Sequence, residues 1–230
     1  MTIHTSSLVR VAAAGDSALV AEFPHRNDPA INDRALALAA RLRQDWGAIL
    51  RDVVIGYCTV TVYFDPLQVD ARWLEAELRA GAGEPENGDQ PQPRVIEVPV
   101  CYDAEMGPDL AEVADFGGCS IEEVIELHTS RSYRVYMVGF VPGFAYLAEV
   151  DPRIAKPRRP VPRTAVPAGA VAIAGGQTGV YPRVTPGGWN IIGRTRLKPY
   201  DPTRRDALLF RIGDDVKFRP ITRDAFEQGA

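Results

Sequence analysis

Residues 175–195, GGQTGVYPRVTPGGWNIIGRT, hold six glycines, two prolines, two arginines and a tryptophan in twenty-one positions. Glycine lets backbone come close to a ligand or take positive φ, and proline fixes φ, so loops built from both are shaped and stiff. Two further stretches share this composition, VGFVPGFAYL (138–147) and KPRRPVPRTAVPAGAVAIAGGQTGVYP (156–182). Within the three, Arg158, Arg159, Arg163 and Arg194 are candidates to clamp a carboxylate or phosphate. A guanidinium fork binds an oxyanion bidentately, for roughly 1.5–3 kcal/mol per contact. Gln177 and Thr178, flanked by Gly176 and Gly179, offer an amide, a hydroxyl and backbone N–H groups to the same small ligand. The plainer reading of GGQTG is a polar hairpin tip. Tyr146, Tyr181 and Trp189 can wall a pocket, although strand aromatics more often fill a core. His128, at the end of a helical pattern, is either a general acid–base or a cation favoured by the helix dipole.

The charge distribution points to an anionic ligand. Between 151 and 211 the chain carries twelve Lys and Arg against three Asp, a local charge of +9 in a protein of net −4. The basic segment has neither interleaved exposed aromatics nor a helix fit for a groove, which argues against nucleic acid. GGQTG lacks the GxxxxGK[ST] spacing of a phosphate-binding P-loop, so a nucleotide needs another mode of capture. No GxSxG elbow or Ser-His-Asp order is present. Cys58, Cys101 and Cys119 are odd in number and show no CxxC spacing, and three histidines are too few for a multi-histidine centre, so no metal site is expected. Asp16 and Glu22 break the apolar run near the N-terminus and no segment approaches the roughly 18 apolar residues of a membrane span. The expected location is the cytoplasm, with no membrane partner.

These loops need a scaffold. Residues 8–14 and 17–23 form a hairpin pattern about Gly15 and Asp16. DPAINDRALALAARLRQDW opens with Asp28 as N-cap and Pro29 at the first helical position and places Ile31, Ala35, Leu38 and Leu42 on one face. A strand pair at 52–56 and 59–64 follows, then a second helix from DPLQVDARWLEAELRA with Leu67, Trp73, Leu74 and Leu78 as core positions. The pattern predicts an N-terminal α/β sandwich over 1–82. GAGEPENGDQPQP (81–93) has no large apolar residue and reads as a linker, placed at 83–93. Beyond it, RVIEVPVCY reads as a strand, and Ser120 with Glu123 forms a capping box for a helix over 120–130. SYRVYMVGF and short candidates at 170–174, 179–183, 189–194, 207–211 and 215–218 predict a β-barrel or sandwich over 94–230. The fold class is thus α+β.

GFVPGFAYL, PRRPVPRTAVPAGAVAIAGGQTGVYP and TPGGWNIIGRT together resemble the allophanate-hydrolase-subunit-1-like family, which includes the 5-oxoprolinase B subunits. That family also contains a sporulation histidine-kinase inhibitor and the C/D half of the urea carboxylase carboxyltransferase domain. The resemblance covers nearly the whole chain and implies that the second domain is a cyclophilin-like barrel. It further implies one component of a hydrolase that works with two others, a larger homologous C subunit and an A subunit, on a small acid, 5-oxo-L-proline. ATP is the implied co-substrate, accompanied by Mg2+, with no bound cofactor, and little activity is implied for the chain alone. The implied site draws on His128, Arg158, Arg163, Gln177, Thr178, Tyr181, Trp189 and Arg194, with His128, Arg163 and Arg194 as catalytic candidates. Where the family motif carries a serine, this chain has Ala170, so no step uses that hydroxyl. The alternatives are a kinase-inhibiting binding module and a component of a biotin-dependent urea carboxylase-like enzyme.

Overall fold

The computed structural model of the chain describes residues 9–83 and 93–229 and divides it into two units, Met1–Gln92 and Pro93–Ala230. The first unit is a four-stranded antiparallel sheet with two helices. Its strands are β1 (Arg10–Ala13), β2 (Ala18–Glu22), β3 (Leu50–Ile55) and β4 (Thr59–Phe64), in the order β1-β2-β4-β3. Gly15, at φ 80°, supplies the positive-φ turn between β1 and β2. Alternate residues Leu19, Ala21, Val53, Ile55, Val60 and Val62 are buried. Helix α1 (Pro29–Trp46) starts where its sequence signal lies, with Asp28 accepting from the Ala30 N–H, and buries Ile31, Ala35, Leu38 and Leu42.

Helix α2 (Ala71–Gly83) starts later than the pattern suggests. Asp65 takes the Leu67 N–H to close a turn of its own, and Asp70 then caps the helix by accepting from the N–H groups of Arg72 and Trp73. Leu67 therefore lies outside the helix and is 94% exposed, which corrects its assignment to the core. The helix also runs through residues 81–83 of the stretch read as a linker; residues 84–92 of that stretch, and Leu8 of the first hairpin, lie outside the described residues.

The second unit is a closed seven-stranded barrel in the order β10-β7-β6-β13-β5-β12-β9. Its strands are β5 (Val95–Cys101), β6 (Ser132–Val138), β7 (Ala145–Ala148), β9 (Ala170–Ala174), β10 (Gln177–Val180), β12 (Asn190–Arg194) and β13 (Asp215–Ile221). β5 and β13 pair in parallel from Asp215↔Val95 to Ile221↔Cys101, whereas the neighbouring pairs are antiparallel. Strands β8 (Arg163–Val166) and β11 (Thr185–Gly187) form a separate two-stranded flap, and helices α3 (Leu110–Gly117), α4 (Ile121–Thr129) and α5 (Arg223–Glu227) complete the unit. The capping box of Ser120 and Glu123 is present at the start of α4. Residues 207–211 are not a strand: Leu208 makes one isolated bridge to Tyr200, and the segment is loop that buries Phe210.

β9 is buried on both faces, which explains its unbroken apolar sequence. Val171 and Ile173 point into the barrel with Val98, Val100, Val135, Leu147 and Val216. Ala170, Ala172 and Ala174 belong to a second cluster with Phe144, Tyr181 and Trp189. Their small side chains let a layer of aromatics lie against the barrel wall.

Candidate functional site

That aromatic layer floors a cleft of about 330 Å³ lined by Phe140, Phe144, Tyr146, Arg158, Pro162, Tyr181, Trp189 and the flap residues 185–188. The volume falls at the small end of ligand sites. Phe144 is the hub. Its ring meets those of Phe140, Tyr146, Tyr181 and Trp189 edge-to-face, with centroids 5.8, 4.9, 5.1 and 5.3 Å away. The Arg158 guanidinium lies over the Trp189 ring, 5.9 Å from its centroid. Phe140 stands at the lip, 63% exposed, with φ 69°. A bulky residue in the left-handed region costs of order 1–3 kcal/mol, a strain that clusters at ligand sites. Gly187 carries no side chain because a Cβ there would overlap the Tyr181 hydroxyl. Burial raises the Tyr181 phenol above its ordinary pKa, against a smaller opposing effect of the Trp189 backbone, and burial raises Tyr146 as well. Both hydroxyls stay protonated and can donate.

Of the residues singled out in sequence, the structure brings Arg158, Tyr181, Trp189 and Tyr146 together at this cleft. Gly179 sits beneath it, where a Cβ would press on the Ala145 carbonyl, Phe144 and Trp189. The others go elsewhere. Gly176 and Gln177 form the β9–β10 corner, with the Gly176 carbonyl accepting from Val150 and Gln177 paired to Ala174 and Ala148. The hairpin reading of GGQTG therefore replaces the ligand-loop reading. Arg194, at the end of β12, donates through Nε to the Ala168 carbonyl and does not line the cleft.

His128 is a strut of the barrel core, not a catalyst at the cleft. It is fully buried, stacked on Phe218 at 4.4 Å, with Nδ1 2.7 Å from the Tyr102 hydroxyl and Nε2 2.9 Å from Thr178 Oγ1. Thr178 donates to the Ala172 carbonyl at 3.1 Å, so it accepts from His128 Nε2–H, and Nδ1 accepts from Tyr102. Burial, aided by the Arg131 charge, lowers the His128 pKa to about 3. Neither ring nitrogen is available to a substrate, and Thr178 is committed to the same network.

Arg163 is likewise occupied. Both of its Nη atoms donate to Asp109, a buried carboxylate that also holds Arg159. The arginines thus do not converge into one cationic cup: Arg158 faces the cleft, and Arg159 and Arg163 are paired behind it. Asp109 was missed because helix α3 was missed. A signal for the helix exists in PDLAEVADFGG, an Asp before an apolar-periodic turn and a glycine pair whose second member, Gly118, takes φ 60° at the C-cap. The pairing of that Asp with residues 50 and 54 positions away leaves no local signal.

The family pattern of the carboxyltransferase domain, subdomain C and D, matches residues 9–210. The chain is 37% identical over 223 residues to the 5-oxoprolinase B subunit of Bacillus subtilis (strain 168), covering 93% of each chain. It is 42% identical over 214 residues to the 5-oxoprolinase B subunit of Escherichia coli O157:H7, covering 90% of this chain and 93% of the relative. Among solved structures, the Kluyveromyces lactis urea carboxylase shares the fold, with a TM-score of 0.78 at 20% identity. That match covers 96% of this chain and 22% of the urea carboxylase. The aromatic cleft with Arg158 and the closed barrel therefore belong to a member of the carboxyltransferase subdomain C and D family, alongside the 5-oxoprolinase B subunits.

Proposed function

We propose that this chain is the B subunit of an ATP-dependent 5-oxoprolinase, acting with the C and A subunits to convert 5-oxo-L-proline, ATP and water to L-glutamate, ADP and phosphate. The observation that carries the reading is the match to the Bacillus subtilis and Escherichia coli B subunits along at least 90% of both partners. The cleft suits the substrate side of that reaction. Aromatic faces accommodate a small lactam ring, the Arg158 guanidinium can pair with its single carboxylate, and the protonated Tyr146 and Tyr181 hydroxyls can donate to the lactam oxygen. In this scheme the B and C subunits together activate the lactam by phosphorylation and the A subunit completes ring opening. The role of this chain is to hold and orient the acid while water is kept from the reacting amide. Among the described residues no three His, Cys, Asp or Glu side chains gather at one point; the proposal leaves the Mg2+ ligands unassigned. Nor is any helix of the described residues long and apolar enough to cross a membrane.

The test is to purify the chain with its C and A partners and measure oxoproline-dependent release of ADP and glutamate. Turnover is expected from the three together. Its absence would overturn the assignment, and full turnover by this chain alone would show that it is not one part of a larger enzyme. The kinase-inhibitor alternative draws on no structural observation, and the likeness to urea carboxylase at 20% identity is one of fold.

A further inference from the structure

The strap 156–163 presents three arginines that sequence cannot rank, and the structure gives them unequal surroundings. Asp109, on the turn before α3, is 1% exposed. Its Oδ1 accepts from Arg159 Nη1 and Arg163 Nη2, each at 2.7 Å. Its Oδ2 accepts from Arg163 Nη1 at 2.8 Å and from the Ile191 backbone N–H at 2.7 Å. One carboxylate thus ties together α3, the strap and β12. A turn further along α3, Glu112 reaches Lys156 at 3.3 Å and Arg159 at 3.7 Å. The strap is stitched on both sides of Arg158 as well: the Arg159 N–H donates to the Gly188 carbonyl at 2.8 Å, and the Asn190 amide donates to the Pro157 carbonyl at 2.9 Å.

Arg158 is treated differently. It lies over Trp189, and no carboxylate among the described residues pairs with it. Arg159 and Arg163 stand just behind the wall it belongs to, since Gly188 and Pro162 line the cleft and the Arg163 charge is felt at the Tyr181 hydroxyl. Released from Asp109, Arg163 would leave an unpaired positive charge at the back of the cleft while Arg159 keeps Glu112 at 3.7 Å, and such a charge favours phosphates over a lone carboxylate. A buried carboxylate with all these donors prevents that release, because removing either side leaves a buried charge unpaired.

We propose that Asp109 is the positioning residue that sets the anion specificity of the cleft: it holds Arg159 and Arg163 behind the wall and fixes the strap. Arg158 then meets a ligand alone, and the cleft takes a small monocarboxylate in preference to a polyphosphate. The inference rests on the reading of the cleft as the acid site given above.

The experiment uses the reconstituted complex of this chain with the C and A subunits, carrying Asp109→Asn. Oxoproline is varied, with inorganic pyrophosphate as the competing polyanion. The variant is expected to raise KM for oxoproline about tenfold, as small misplacements of a binding group do, with kcat within about twofold. Pyrophosphate inhibition competitive with oxoproline is expected to strengthen about tenfold. Unmoved KM and unmoved pyrophosphate inhibition overturn the proposal. So does a fall in kcat at unmoved KM, and a raised KM with unmoved pyrophosphate inhibition overturns the specificity claim. If Asp109→Asn does not fold, Arg163→Lys keeps the charge but loses the two-pronged contact. The folded complex should then raise KM about threefold or more, and an unchanged KM overturns the proposal. Absence of oxoproline turnover in the unmutated complex would sink the functional reading instead. Asp109 is in that case decided by calorimetry with pyrophosphate alone, where the variant complex must bind about tenfold tighter than the unmutated one.

Discussion

Arg158 is the residue on which the cleft's chemistry turns. With no carboxylate of its own among the described residues and Trp189 beneath it, it offers an oxyanion a fork that needs no prior pairing to be broken. Truncation in Arg158→Ala should raise KM for oxoproline by about 10–100-fold, the equivalent of roughly 1.5–3 kcal/mol, with a smaller change in kcat. Steady-state kinetics of the reconstituted complex checks this, and an unchanged KM removes Arg158 from the site. His128 makes a prediction of a different kind. Its folded pKa, about 3, lies below the ordinary 6.5, so between those values the unfolded chain takes a proton that the folded chain refuses. Its contribution to stability is therefore complete above about pH 6.5 and is lost as pH falls toward 3, by up to about 1.4 kcal/mol per pH unit. Urea unfolding across that range should show a shallower acid slope for His128→Gln than for the unmutated protein. Sequence alone could offer either role for this residue; what decides it is that Tyr102, Thr178 and Phe218, up to 90 positions away, close around the ring.

Local signals served well where a few neighbouring residues determine the outcome. Asp28 with Pro29, and Ser120 with Glu123, cap α1 and α4 because the donors they satisfy lie two or three residues ahead. Ser120→Ala should cost about 1 kcal/mol in urea unfolding; no loss would mean that the capping box contributes nothing. The same logic misplaced α2, since Asp65 and Asp70 both accept from backbone N–H groups ahead of them and only the second starts a helix. At the cleft, glycine-rich sequence announced stiff loops but not which loops meet. Gly187→Ala would drive a methyl into the Tyr181 ring, for a cost of about 1–3 kcal/mol. Gly188→Ala meets only Pro162 and the Arg159 carbonyl at 3.6–3.7 Å and should leave stability nearly unchanged. Thermal or urea unfolding of the two variants separates a steric demand from a merely flexible turn.

A mixed fold of helices, sheet and barrel was legible because amphipathic helices stop and short strands begin on either side of an apolar-poor stretch. The pairing order of the barrel was not legible, since hydrophobic alternation names strands without naming neighbours. All seven barrel strands, the cleft and Asp109 fall within residues 93–230. That segment, produced alone, is expected to unfold in one cooperative step followed by circular dichroism, and a broad, non-cooperative melt would contradict its independence. The parallel pairing of β5 with β13 joins the stave made first to the stave made last. While the ribosome is still adding residues before Asp215, β5 and β6 each keep an unzipped border, which is the kind of surface that sticks to other chains. The ring cannot shut until β13 has been made, so chains cut short before Asp215 should aggregate or be degraded.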